Sequence, residues 1–155
     1  MLEASQRFVY LDYQASTPLD SRVRDVMLPW MEANRVGNPH SGHRAGRVAA
    51  SAVQRARAQA ASLLGAHPSE IVFTSSATEA NNLALFGLTK PGWRVIATAI
   101  EHPSVLECFS ELRDSERECY EISVDCAGEI DRTALEKSIS PGRTLVSVMF
   151  ANNEI

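Results

Sequence analysis

Lysine is nearly missing from this sequence. Of its fifteen basic residues only Lys90 and Lys137 are lysines, and the rest are arginines. Chemistry that needs an amine nucleophile therefore has two candidates, and both stand in solvated settings. Lys90 lies in a Thr-Lys-Pro-Gly turn and Lys137 in Leu-Glu-Lys-Ser near a helix end, whereas a Schiff-base lysine is a desolvated amine. Cysteine is scarce as well. Cys108, Cys119 and Cys126 are odd in number and lack Cys-x-x-Cys spacing, which excludes a disulfide framework and a zinc site. No metal is expected, and free thiols suit a reducing compartment. No apolar run approaches the roughly 18 residues of a membrane span. The opening Met-Leu-Glu-Ala-Ser-Gln-Arg has no secretory pattern. A net charge of −4 offers no basic footprint for nucleic acid. The expectation is a soluble cytoplasmic protein with neither a nucleic-acid nor a membrane partner.

What is present is an ordinary globular balance. The 155 residues are 45% hydrophobic and 22% charged, enough for one compact domain with a core. Val23, Val26, Met27, Trp30 and Met31 fall at helical spacing behind Asp20 or Ser21 as N-cap, and Pro29 should kink or shorten that helix. A turn-rich loop, Gly37-Asn38-Pro39-His40-Ser41-Gly42, follows. A long helix is predicted over 44–64, with Val48, Ala49, Ala52, Val53, Ala56, Ala60, Leu63 and Leu64 on one face and Gly65 as its stop. Strands and helices then alternate. Strands are predicted over 71–74, 95–98, 120–124 and 144–150, and helices over 79–88, 104–113 and 131–138. This is the pattern of an α/β fold with a mainly parallel sheet covered by helices on both faces.

In such sheets ligands bind beyond the carboxyl ends of strands, which directs attention to Ser75–Thr78, Ala99–His102, Asp125–Gly128 and Ala151–Glu154. In Thr74-Ser75-Ser76-Ala77-Thr78-Glu79, hydroxyls crowd a helix start, where free N–H groups and the dipole favour an anion such as phosphate. A capping box of Ser76 and Glu79 accounts for two of these residues but not for the density of hydroxyls. His102 could meet the same ligand as acid/base or by stacking, or be a surface turn histidine. Asn152 and Asn153 are ligands or turn residues on the same reasoning.

Taken together, these segments resemble the cysteine desulfurases of the NifS/IscS type, pyridoxal-phosphate enzymes of the class V aminotransferase group. The resemblance rests on Tyr10–Pro18 (Tyr-Leu-Asp-Tyr-Gln-Ala-Ser-Thr-Pro), on Gly37–His43, on Ile71–Asn82, on Glu101-His102 and on Asn152-Asn153-Glu154-Ile155. It covers about the first 40% of a typical member. It implies a fold-type I enzyme, with residues 1–17 reaching toward a small domain and 18–155 forming an incomplete large cofactor-binding domain. By resemblance, Ala77 and Thr78 donate to the cofactor phosphate. His102 stacks on the pyridine ring and serves in proton transfer, and Asn153 contacts the ring hydroxyl region and the substrate. The family's usual glycine is Ser76 here. Its Schiff-base lysine, the Asp that pairs with the pyridine nitrogen, its Gln and its sulfur-accepting cysteine match nothing up to Ile155.

The implied activity of the parent enzyme takes sulfur from L-cysteine, giving alanine and a protein persulfide for iron–sulfur cluster or thio-cofactor assembly. The implied partners are L-cysteine, a second copy in a homodimer with the Asn38-Pro39-His40 loop near the interface, and a sulfur-acceptor or iron–sulfur scaffold protein. Without the lysine, the 155 residues alone are expected to be inactive. The alternatives are another class V enzyme (a selenocysteine lyase or a small-amino-acid aminotransferase) or a non-catalytic remnant that binds a desulfurase or a sulfur acceptor.

Overall fold

The computed structural model describes residues 9–32 and 36–155; residues 1–8 of the 1–17 segment lie outside the described residues. Where length predicts one domain, the chain forms two compact units, Met1–Val72 and Phe73–Ile155. Among its described residues, the regular elements of the first are helical. Asp20 accepts the N–H of Arg22 at 2.8 Å and starts α1, Ser21–Met27. The α-helix stops there, and a 3-10 turn with Pro29 near its start, Leu28–Trp30, takes over, because proline has no N–H for an interior helical bond. The long helix α2 spans Arg44–Leu64, with His43 as N-cap and Gly65 in the left-handed region (φ 66°) as its stop.

The apolar face of α2 differs from the expected one. Its buried residues are Gly46, Ala49 and Ala61, while Val48, Val53, Leu63 and Leu64 are exposed. The inward stripe consists of the smallest side chains, and the bulkier apolar residues lie outside it. Beyond Gly65, His67 caps a 3-10 turn, Pro68–Glu70, and the guanidinium of Arg57 donates to the carbonyl of Ile71.

The second unit carries the sheet. Its elements are α3 (Ala77–Leu88), β1 (Arg94–Thr98), α4 (Pro103–Arg113), β2 (Glu118–Ile122), α5 (Arg132–Ser138) and β3 (Thr144–Ser147). The three strands are parallel in the order β2-β1-β3, with Val95 beside Cys119 and Leu145. Val95 and Ala97 pack with Leu85 of α3 and with Val105, Cys108, Phe109 and Leu112 of α4, forming the core on one face. On the opposite face Arg94 bonds Glu118 and donates to the carbonyl of Ser138 at the end of α5, so a helix lies on that side too. The α/β architecture is as expected.

The expected strands need correcting in three places. Residues 71–74, expected as a strand, pair with no strand among the described residues. The third strand ends at Ser147 rather than at residue 150, and β2, Glu118–Ile122, both begins and ends two residues before the expected 120–124. A β-branched run makes a strand only where a neighbour supplies hydrogen-bonding partners.

Candidate functional site

Two helix caps build the site. Ser76 is fully extended (φ −164°, ψ 167°), backbone that any residue adopts, so a side chain here brings no strain. Its Oγ accepts the N–H of Glu79 at 3.2 Å. The reciprocal half of the expected capping box is shifted by one residue. The Glu79 carboxylate accepts from the N–H and the hydroxyl of Ser75, both at 2.6 Å, and these bonds hold its carboxyl below the usual range. Both serine hydroxyls are thereby engaged. Among the described residues, the N–H groups of Ala77 and Thr78 and the Thr78 hydroxyl meet no acceptor. They occupy the first turn of a twelve-residue helix, where the dipole adds to the unused donors.

His102 is the N-cap of α4. Its Nδ1 accepts the N–H of Ser104 at 3.1 Å, and the Ser104 hydroxyl also takes the amide of Asn81 at 2.8 Å. That bond ties the start of α4 to the first turns of α3, so the two helices begin side by side. An open cleft of about 460 Å³ begins there, with Thr78, Asn82 and Phe86 on one wall and His102, Ser104 and Cys108 on the other. Glu107 and Glu111 lie further along it. The anion-attracting end is therefore the end that holds Thr78 and His102.

Asn153 is not drawn into this cleft. It lies beyond the carboxyl end of β3, next to β1, and its amide donates to Glu154 at 2.9 Å. The neighbouring Asn152 makes the connection that sequence reasoning assigned to neither. It donates to the carbonyl of Ile100 at 2.9 Å and accepts the N–H groups of Glu154 and Ile155. A second residue whose role was missed is Glu101. It is buried, and it accepts from Thr98, Ser147 and Met149. Its only sequence signal is an acid placed directly before a histidine after a strand.

Lys90 and Lys137 are both exposed. Cys108 is buried, with its thiol pushed up by desolvation; Cys119 is half-buried and Cys126 is exposed. Among the described residues no His/Cys/Asp/Glu cluster could hold a metal ion, and no helix is long and apolar enough to cross a membrane.

A phosphate-bearing cofactor fits this arrangement: Thr78 and His102 line one end of a cleft, and the unused N–H of Ala77 lies beside Thr78 in the same helical turn. The profile of the family described as aminotransferase class-V matches residues 9–155. A cysteine desulfurase of Mus musculus is 46% identical over 99% of this chain, which spans about a third (34%) of that relative's length. A solved NifS-like protein superposes with a TM-score of 0.84 at 38% identity, covering 94% of this chain and 41% of the other. A structure of SspA in complex with cysteine gives 0.84 at 35% identity, covering 94% and 43%. The chain therefore belongs to the aminotransferase class-V family, and within it resembles the cysteine desulfurases.

Proposed function

We propose that this chain supplies the phosphate-binding and ring-facing part of the pyridoxal-phosphate site of a cysteine desulfurase. The observation that carries the reading is the convergence of Thr78 and His102 on one cleft, at the shared N-terminal end of α3 and α4. The N–H groups of Ala77 and Thr78 and the Thr78 hydroxyl would hold the phosphate, as helix N-termini do for anions. When bound, the cofactor supplies an electron sink conjugated to the substrate's amino-acid carbon. His102 would lie against the ring and handle a proton at Nε2, the nitrogen that its capping bonds leave free. Asn153, carried on the loop that Asn152 anchors, would reach the cofactor's ring hydroxyl region and the substrate. The net reaction turns L-cysteine and a protein thiol into alanine and a protein persulfide.

The residues that this chain lacks complete the proposal. Both of its lysines are exposed, and Cys108 is buried with a raised thiol, so none of them suits the Schiff-base or sulfur-accepting role. We place residues 1–17 toward a small domain and 18–155 in the large one, in a homodimer that passes sulfur to an acceptor or iron–sulfur scaffold protein. Three free cysteines favour a reducing compartment, the cytoplasm in the simplest case.

The test begins with the intact mass of the polypeptide as its own cell makes it, since a desulfurase requires more than twice 17.0 kDa. That polypeptide, given pyridoxal phosphate and L-cysteine, should release alanine. His102→Gln should slow this by about 10²–10⁴-fold, the usual worth of a positioned acid/base. The 155 residues alone should release none above a cofactor-only control. Alanine release that is indifferent to both His102→Gln and Thr78→Val would overturn the site assignment.

A further inference from the structure

We propose that Ser104, itself oriented by Asn81, is a positioning residue for His102 that fixes the single proton of the neutral ring on Nε2. The proposal rests on the reading of His102 as the proton-handling group of the site. It is argued from hydrogen-bond bookkeeping at three side chains.

His102 Nδ1 lies 3.1 Å from the backbone nitrogen of Ser104 and 2.8 Å from its hydroxyl oxygen. A backbone N–H can only donate, so this bond favours Nδ1 as an acceptor and leaves the hydroxyl to complete the choice of tautomer. The hydroxyl has one hydrogen to place. Asn81 Nδ2 donates into its oxygen at 2.8 Å, which leaves Nδ1 as the direction for that hydrogen. Ser104 is only 8% exposed, so its protein partners dominate over water. With both donors of Ser104 aimed at Nδ1, the neutral imidazole carries its proton at Nε2. His102 thus offers a hydrogen-bond donor to the cleft it lines. In the neutral ring, the nitrogen able to take up a proton is the one already committed to Ser104.

The chain contains its own control. His67-Pro68-Ser69 repeats the tripeptide His102-Pro103-Ser104. His67 Nδ1 again accepts the serine N–H, at 3.3 Å, with the hydroxyl 2.7 Å away. Among the described residues, however, no side chain donates to Ser69. The capping geometry is shared, and the third member, which sets the direction of the hydroxyl, belongs to His102 alone.

The experiment is a long-range proton–nitrogen correlation spectrum of the full chain labelled with nitrogen-15 histidine, above about pH 8, where the rings are neutral. His102→Gln identifies the resonances, and the amide spectrum checks that each variant is folded. The expected result for His102 is the Nε2–H pattern, with its two ring-nitrogen shifts widely separated. Ser104→Ala should narrow that separation and Ser104→Thr should restore it. Asn81→Asp, whose carboxylate draws the hydroxyl hydrogen away, should move proton density to Nδ1. His67 should respond to none of these changes. An Nδ1–H pattern in the unaltered chain would overturn the proposal, as would a His102 pattern that ignores both Ser104→Ala and Asn81→Asp. No cofactor is needed for the measurement, so an Nε2–H pattern in a protein that never binds pyridoxal phosphate would sink the proposed function and leave this assignment standing.

Discussion

The carboxylate of Glu101 accepts the backbone N–H of Met149 at 2.7 Å, across 48 residues of sequence. The same buried group accepts the hydroxyls of Thr98 at 2.6 Å and Ser147 at 3.0 Å. It therefore holds the ends of β1 and β3 together one residue before His102. Glu101→Ala would leave these donors unanswered in a site where Glu101 is only 6% exposed. A loss of about 2–4 kcal/mol is expected, because an unmet buried donor forfeits its solvation. Glu101→Gln keeps one acceptor oxygen and should cost roughly 1 kcal/mol. Urea unfolding distinguishes the two through the midpoint. Equal midpoints for Ala and the unaltered chain would dismiss the carboxylate as a brace.

The loop before α2 depends on a close approach at Gly46. A Cβ built there would stand 2.7 Å from the carbonyl oxygen of Asn38, and nearer still to that of Ser41. Both are backbone atoms of a turn closed by Ser41 N–H on Asn38, and neither can swing aside. Gly46→Ala should cost about 1–3 kcal/mol, the range for overpacking. Gly42→Ala, with open space around its Cβ, should be tolerated. Thermal unfolding of the two variants settles the matter, and a Gly46→Ala as stable as Gly42→Ala would contradict the packing.

How much of this could be read from sequence depends on the range of the interaction concerned. The limits of α2 could be read because the turn-rich loop before it and Gly65 after it are local signals; its inward face of small residues could not, because burial is set by neighbours. The strand expected at residues 71–74 could not be judged, because a strand is defined by a partner elsewhere in the chain. The site divides in the same way. The cap at Ser76 was visible in its spacing to Glu79, yet the carboxylate turned one residue further to Ser75. Sequence singled out Asn153, while the long bond across the turn belongs to Asn152, 52 residues from Ile100. Glu101 lay inside a recognised motif, but two of its three partners lie 46 and 48 residues away and leave no local pattern.

The three thiols should react in a fixed order. Cys126 is exposed and Cys119 half-buried, with its thiol raised by desolvation. Cys108 is buried, its thiol also raised by desolvation, and its Sγ lies 3.1 Å from the carbonyl of Ser104. Because the thiolate is the reactive form, access and acidity point the same way. A chromogenic disulfide reagent at neutral pH should modify Cys126 first and Cys119 more slowly, with Cys108 responding only on unfolding. Fast labelling of Cys108 in the folded chain would mean that the seam between α3 and α4 opens.

Acid should weaken the fold through carboxylates whose partners are specific. Glu79 is held low by Ser75, Glu118 by Arg94 and Asp20 by Arg22, each through hydrogen bonds. A group with a folded value below its unfolded one contributes stability above the unfolded value, near 4 for these side chains. That contribution is lost as pH falls through the folded value. The urea midpoint should therefore hold steady from about pH 6 to 5 and decline below about pH 4. All three carboxylates are exposed, so each contribution is small and screened by salt. The double variant Glu79→Gln, Glu118→Gln should flatten the decline, because neither amide titrates. An acid slope unchanged in that variant would place the sensitivity in other groups and remove the Ser75–Glu79 clamp from the account of how α3 begins.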